Sequence, residues 1–335
     1  MLPAVLRSSL TALRGAACLS ALALCLAPAA LAQDGDGPAA DIRIATGSPA
    51  GTYFIVGRAL CHTLRRVSDT APSCEATPTA GSLANIEQLR SGDANVAVVQ
   101  SDVQYHAANG TGPLDGKGLE DMRALFSVYL EPFHLVTRAD KPVSALTDLK
   151  PLRMNVGNPG SGQRATFETL LGAANVPLDF AERTELDAIS QAQALCDGEI
   201  DGFVHVISAP DDTIAKTVRE CDAAVRDVPS EALQFVTQDN PFYAEITVPA
   251  SAYGAAFTSF GPSATVVVRG DLPDETVTAL LSAAFGDADG DAQATYFSRL
   301  HPSFKSFSND QRATTGITAR YHPAALAFFT ERGIF

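Results

Sequence analysis

The sequence has no run of lysine or arginine, and its 24 basic residues are outnumbered by 38 acidic ones. The formal net charge of −14 excludes the cationic footprint that nucleic acid or an anionic membrane surface requires. Beyond residue 32 no apolar run is long enough to span a bilayer, which takes about 20 residues. There is no C-x-x-C, and His62, His106, His134, His205, His301 and His322 are scattered, so no metal site is expected. No dinucleotide G-x-G-x-x-G, and no G-x-S-x-G, H-E-x-x-H or S-x-x-K set at a plausible position, is found. Gly116-Lys117-Gly118 lacks the spacing of a P-loop. A secreted hydrolase built on Ser101 or Ser161 has no visible base to activate it. Neither catalysis nor a cofactor is therefore expected.

What is present is a chain of 335 residues, 46% apolar and 19% charged, enough for one large or two medium domains with a packed core. Its start reads as a signal peptide over residues 1–32. Arg7 and Arg14 precede an apolar run over 16–27, and Ala30-Leu31-Ala32 is a small-x-small cleavage site. Removing that segment takes away two arginines and no acid, leaving −16. Export to the periplasm follows as an expectation, without stable membrane insertion. Four cysteines then remain, Cys61, Cys74, Cys196 and Cys221. An even number in an exported chain favours disulfides. Three pairings are open; the local one, Cys61–Cys74 with Cys196–Cys221, keeps each bridge inside one half of the sequence. A closed loop of about 15 residues contributes on the order of 3 kcal/mol.

Short apolar runs alternate with helical periodicity, which predicts α/β units around largely parallel sheets. Strands are expected over 41–46, 74–79 and 95–100, with helices over 53–67, 82–91 and 102–108. A long extended region covers 125–138. A second series follows: a strand over 153–156, helices over 163–175 and 189–197, a strand over 200–206 and a helix over 212–221. Ser91-Gly92-Asp93 in the first series has a counterpart, Asp197-Gly198-Glu199, in the second. Two similar lobes are thus expected: 41–135 with about 255–335, and about 136–254. Extended stretches near 125–138 and 246–268 would cross between them, which makes a hinged cleft.

Each series opens on a Gly/Ser turn between a strand and a helix. The first, 46–53, reads Thr-Gly-Ser-Pro-Ala-Gly-Thr-Tyr; the second, 157–162, reads Gly-Asn-Pro-Gly-Ser-Gly. A helix N-terminus leaves N–H groups unpaired and carries about half a positive charge, so such turns hold anions without arginine. Taken alone, each is equally an ordinary capped turn. In pairs, with Ser82 and the strand-end residues Gln100 and Ser101, they predict one anion site in the cleft. His134 and His205, on predicted strands, are candidate hydrogen-bond donors. Glu131-Pro132 is unusual inside an apolar strand and reads as a bulge, a hinge or a cleft wall. Asn109-Gly110-Thr111 matches a glycosylation sequon and is treated as chance.

The segments TGSPAGTYFIVG, TAGSLANIEQLRSGDANVAVVQSDVQYHAANG, EPFHLVTR, LTDLKPLRMNVGNPGSGQRATFETLL, LCDGEIDGFVHV and YHPAALAFFTERG occur in order over residues 42–333. Together they resemble the TAXI group of solute receptors of tripartite ATP-independent periplasmic (TRAP) transporters. The resemblance implies an α/β, type II periplasmic-binding-protein fold: two lobes, a hinge and one ligand in the cleft. It implies a small carboxylate ligand, a glutamate-like amino acid or a dicarboxylate, delivered to a permease driven by an ion gradient. Thr46, Gly47, Thr52 and Tyr53 match the family's first turn, Gln100 and Ser101 its strand end, and Gly157, Pro159, Gly160, Ser161 and Gly162 its second turn. Of these residues, all but Gly157 and Gly160 make up the expected site, together with Ser48, Ser82, His134, Asn158 and His205. The chain departs from the family at Ser48-Pro49-Ala50, at Phe54 and at Ile207-Ser208-Ala209-Pro210. Rival readings are a receptor of an ATP-driven importer for sulfonate-like or pyrimidine-precursor ligands, and a sensor module.

Overall fold

The structure, a computed structural model, describes residues 41–67, 72–177, 182–238, 240–286 and 295–335. The expected signal peptide lies outside them. The first sheet contains β1 (Ile42–Ala45), β2 (Cys74–Thr77), β3 (Val96–Gln100), β4 (Met122–Leu130) and β12 (Ser263–Arg269), in the order β2-β1-β3-β12-β4. The second contains β5 (Phe133–Arg138), β6 (Arg153–Asn155), β7 (Glu182–Thr184), β8 (Gly202–Val206) and β9 (Ala223–Arg226), in the order β7-β6-β8-β5-β9. A separate antiparallel pair joins β10 (Ala244–Val248) to β11 (Phe257–Gly261).

The two five-stranded sheets share one plan. Three strands run parallel: β1 with β2 and β3, and β6 with β7 and β8. The fourth, β12 or β5, is antiparallel to its neighbours. In each sheet that strand is the one the chain enters on crossing from the other lobe. Every residue of β3 is buried, as expected of a strand covered on both faces. One face of the first sheet packs on α1 (Thr52–Val67), α9 (Asp274–Phe285) and α11 (Pro323–Glu331), through Ile44, Leu60, Val98, Leu281 and Phe329. The other packs on α2 (Ser82–Ser91) and α3 (Ser101–Asn109), through Ile86, Leu89, Val99 and Val103. The second sheet lies between α4 (Gly162–Ala173) and α7 (Ser230–Gln238) on one face and α5 (Ala188–Cys196) and α6 (Asp212–Glu220) on the other. This is the two-lobed periplasmic-binding-protein fold.

The long extended region expected at 125–138 is two strands in different sheets. The chain leaves β4 at Leu130 and enters β5 at Phe133. Pro132 has no N–H to give a ladder, and the Glu131 N–H donates instead to Pro262 O at 2.9 Å. A Cβ on Gly261 would lie 1.9 Å from Glu131 O, so the return crossing can touch the outward one only through glycine. The lobe limits shift accordingly: β5 belongs wholly to the second lobe, and β11, expected beyond the limit at 255, packs on the second lobe's core through Phe257 and Phe260.

The four remaining cysteines take the local pairing. Cys61 of α1 bonds Cys74 of β2, with Cα atoms 5.2 Å apart, and Cys196 at the end of α5 bonds Cys221 after α6, at 4.9 Å. No helix among the described residues is long and apolar enough to cross a membrane.

Candidate functional site

Strand β1 ends at Ala45, and the next residue, Thr46, donates its side-chain hydroxyl to Thr77 O at 2.7 Å, while Thr79 N–H donates to Gly47 O at 3.2 Å. The chain then folds tightly, Gly51 N–H donating to Ser48 O at 2.8 Å, and α1 begins at Thr52. In the second lobe Gly157 and Gly160 take the left-handed conformation, with φ of 93° and 81°. Ser161 donates its hydroxyl to Asn158 O at 2.7 Å and caps α4 by accepting from Arg164 N–H. The two turns face each other across a cavity of about 250 Å³.

Among the described residues that line it there is no lysine or arginine. Five helices instead start at its wall: α1 at Thr52, α2 at Ser82, α3 after Gln100, α4 after Ser161 and α5 after Asp187. Each helix start leaves backbone N–H groups without intrahelical acceptors and carries a partial positive charge. Asp187 spends its carboxylate on the N–H groups of Ile189 and Ser190, at 3.0 and 2.8 Å. Backbone hydrogen bonds, the Ser190 one foremost, hold that carboxyl below the ordinary aspartate range. Ala188, Ile189, Val206 and Ile207 supply an apolar side.

The lobes touch directly. Ala84 N–H donates to Gly160 O at 3.2 Å, Asn158 Nδ2 to Ala80 O at 3.2 Å, and the Thr52 and Ser208 hydroxyls meet at 3.2 Å. Gln100 Nε2 donates to Thr166 Oγ1 at 3.3 Å, and that hydroxyl donates onward to Asp102 at 2.9 Å. This chain orients the amide, so Gln100 Oε1 turns toward Gly162. There it is buried without a partner, as is Gln163 Nε2. Gln163 Oε1 accepts from His205 Nδ1 at 2.6 Å. Burial pushes the His205 pKa down, so the ring is a neutral donor near pH 7. A buried acceptor and a buried donor, one from each lobe, thus await a partner.

Glu131 also lines the cavity and is 2% exposed. Tyr53 donates its phenol to Glu131 Oε2 at 2.6 Å. Burial pushes the Glu131 carboxyl well above the ordinary range, the Tyr53 hydrogen bond opposing and the nearby Asp102 adding.

Of the expected site residues, Gly47, Ser48, Thr52, Tyr53, Ser82, Gln100, Asn158, Ser161, Gly162 and His205 line the cavity. Four do not. The Thr46 hydroxyl is turned to Thr77. Ser101 ties the lobes from beneath, its Oγ donating to Phe242 O and accepting from Ser263 N–H, both at 2.9 Å. Pro159 is exposed on the rim. His134 is fully buried behind the wall, its Nε2 3.1 Å from Tyr253 OH, and burial drives its pKa to about 3. Sequence reasoning missed Thr79, Gly81, Gln163 and the start of α5. The last had one signal, Asp187 as an N-cap before Ile189-Ser190. Among the described residues no group of three or more His, Cys, Asp or Glu could hold a metal ion.

A model of the NMT1-like family matches residues 44–333. Among solved structures, a protein of Bordetella bronchiseptica RB50 aligns over 88% of this chain and 98% of its own, with a TM-score of 0.55 and 12% identity. The periplasmic aliphatic sulphonate binding protein of Escherichia coli aligns over 88% and 84%, at 0.47 and 12%. An amino acid ABC transporter substrate-binding protein of Streptococcus pneumoniae, bound to L-arginine, aligns over 79% and 91%, at 0.45 and 12%. At such identity the first likeness speaks for the fold alone, and the other two fall below the similarity that supports an argument.

Proposed function

The chain belongs to the NMT1-like family, and from that premise we propose that it is a periplasmic receptor that captures a small carboxylate and delivers it to a TRAP-type permease. The observation that carries the reading is the convergence of five helix starts on a cavity between two lobes whose described lining residues include no lysine or arginine. Backbone N–H groups and the hydroxyls of Ser48, Thr52 and Ser82 hold the ligand's negative charge. Gln100 Oε1 and Gln163 Nε2 supply one acceptor and one donor for its polar groups. Ile189 and Ile207 cover a short hydrocarbon body. The cavity is slightly smaller than the roughly 300–1,000 Å³ usual for ligand pockets, which favours a ligand the size of glutamate or a short dicarboxylate. Hydrogen bonds between the lobes exclude solvent, and the ligand is sequestered by a shift in the population of closed molecules rather than by chemistry.

The test is a thermal-shift screen of amino acids, dicarboxylates, keto acids and sulfonates, followed by calorimetry. A ligand at a hundred times its Kd stabilises the folded state by about 2.7 kcal/mol. Binding of a carboxylate in preference to a sulfonate supports the reading. Preference for a sulfonate favours the ATP-driven importer instead, and no binding in the panel overturns the anion site. Capture of the ligand-loaded protein by an ion-driven permease, and not by an importer carrying an ATPase, tests the transporter class.

A further inference from the structure

A site for an anion has no evident use for a carboxyl group in its wall, yet Glu131 is there. It is not free to leave. Its backbone N–H is held by Pro262 O at 2.9 Å, and its carbonyl lies against Gly261, where the two crossings between the lobes meet. Its side chain reaches the cavity, with Tyr53 OH 2.6 Å from Oε2. Among the described residues no ion pair includes it, and none of those in the cavity wall is a lysine or arginine. An ionised Glu131, itself buried, would thus face a like-charged ligand inside the cavity, an arrangement in which two negative charges do not both persist.

Resting on the anion reading of the cavity, we propose that Glu131 is a specificity-determining acid: it is held as the neutral carboxyl, donates its proton in a hydrogen bond to the ligand anion, and makes the protein take up the anion together with one proton. A neutral acid used as a hydrogen-bond donor in an apolar site is well precedented. Charge-assisted bonds of this kind are about twice as strong as neutral ones. The groups facing Glu131 are compatible with this. Tyr53 of α1 and Tyr129 of β4 are buried phenols whose pKa values are pushed up, so both stay protonated. Asp102 of α3 adds repulsion, and its own carboxyl, raised by burial, accepts from Tyr243, Thr166 and the Val103 N–H. In the second lobe, His205 and His134 are both shifted toward neutrality, and Asp187 is committed to the start of α5. Burial of Glu131 itself acts in the same direction.

Glu131→Gln keeps the shape and fixes the donor, and two measurements decide. The first needs no ligand: denaturant unfolding of wild type and E131Q across about pH 4 to 9. A carboxyl whose folded pKa is raised binds its proton more tightly folded than unfolded. Wild type should therefore lose stability relative to E131Q as pH rises above about 4.3, the unfolded value. The unfolding constant changes by up to tenfold per pH unit until the raised pKa is passed. A pH-independent difference overturns the proposal and leaves the anion site standing. The second is calorimetry with L-glutamate, succinate and 2-oxoglutarate, in buffers of different ionisation enthalpy. Above the raised pKa the wild-type Kd should climb by up to tenfold per pH unit, with net uptake of up to one proton. E131Q should show neither. Tyr53→Phe, which removes a bond favouring the ionised form, should move the bend to higher pH. An E131Q protein that folds but binds none of the probes that wild type binds, or that keeps the wild-type pH slope, overturns the proposal. Silence of all three probes toward wild type removes the anion reading and the proton coupling with it, while the unfolding series still reports the state of Glu131.

Discussion

Gly162 stands where the two lobes come closest. A Cβ there would lie 1.4 Å from Gln100 Oε1 and 2.9 Å from Ser82 Oγ, and both atoms belong to the opposite lobe. Gly162→Ala is expected to keep each lobe folded but prevent them from meeting. Ligand affinity should fall at least tenfold, or about 1.4 kcal/mol, as read by calorimetry with whichever anion wild type binds. Gln100→Leu tests the orphaned acceptor. It should weaken a ligand that donates a hydrogen bond by about 1–3 kcal/mol and leave one without a donor little changed. The sequence pointed to these positions through residue type and spacing, but it could not tell which way a hydroxyl turns. Thr46 and Ser101 sit at strand ends as a ligand site would require. Their hydroxyls instead satisfy carbonyls at Thr77 and Phe242, partners set by strand pairing and by a contact 141 residues away. His134 alternates correctly along β5, yet its face is the one that Tyr253 and Phe257 cover.

Five strand-to-helix steps surround the cavity; α4 and α5 are capped by the side chains of Ser161 and Asp187, whereas α2 and α3 begin without a side-chain cap. Asp187→Ala removes the side chain that accepts from Ile189 and Ser190 and should cost about 1 kcal/mol near neutral pH. The native carboxyl is depressed, so its contribution is present above the unfolded pKa of about 3.9 and is lost as pH falls through the folded value. The difference between variant and wild type should therefore shrink toward strongly acidic pH in a denaturation series. Joint replacement of Cys61 and Cys74 by alanine frees α1 from β2 and should cost about 2–4 kcal/mol, seen as a lower Tm without loss of the cavity's chemistry. The two Gly/Ser turns were readable because strand, glycine and helix signals are local. The helix expected over 189–197 is α5, but its start was not placed at the site: its strand, β7, is only Glu182–Thr184 with no apolar residue, and its cap follows no glycine. The extended region at 125–138 crosses between the lobes as expected, with the break at Glu131-Pro132. Glu131-Pro132 interrupts the apolar run and marks the change of sheet, but the hydrogen bond to Pro262 that holds the crossing is announced by no local pattern.

Both lobes close on small residues, and that sets what the whole molecule tolerates. A Cβ on Gly160 would already lie 3.7 Å from the Ala84 Cβ, and the Ala84 N–H is itself a bridge between the lobes. Ala84→Phe should act as a wedge. In X-ray scattering with saturating ligand, wild type should approach the roughly 19 Å radius of gyration of a compact chain of about 300 residues, and the variant should stay larger. Equal radii would show that the lobes meet without this contact. The two-lobed plan and the return of the chain to the first lobe were visible in the sequence, whereas the insertion of β12 between β3 and β4 was not. That insertion decides the order in which a nascent chain can fold. Domains generally fold as they emerge, N-terminal first. Here the strand that joins β3 to β4 begins at Ser263, so the half made first waits with two bare strand edges while the second sheet, finished at Arg226, can already assemble. A chain cut short before Ser263 should carry a folded second lobe beside an unfolded first one.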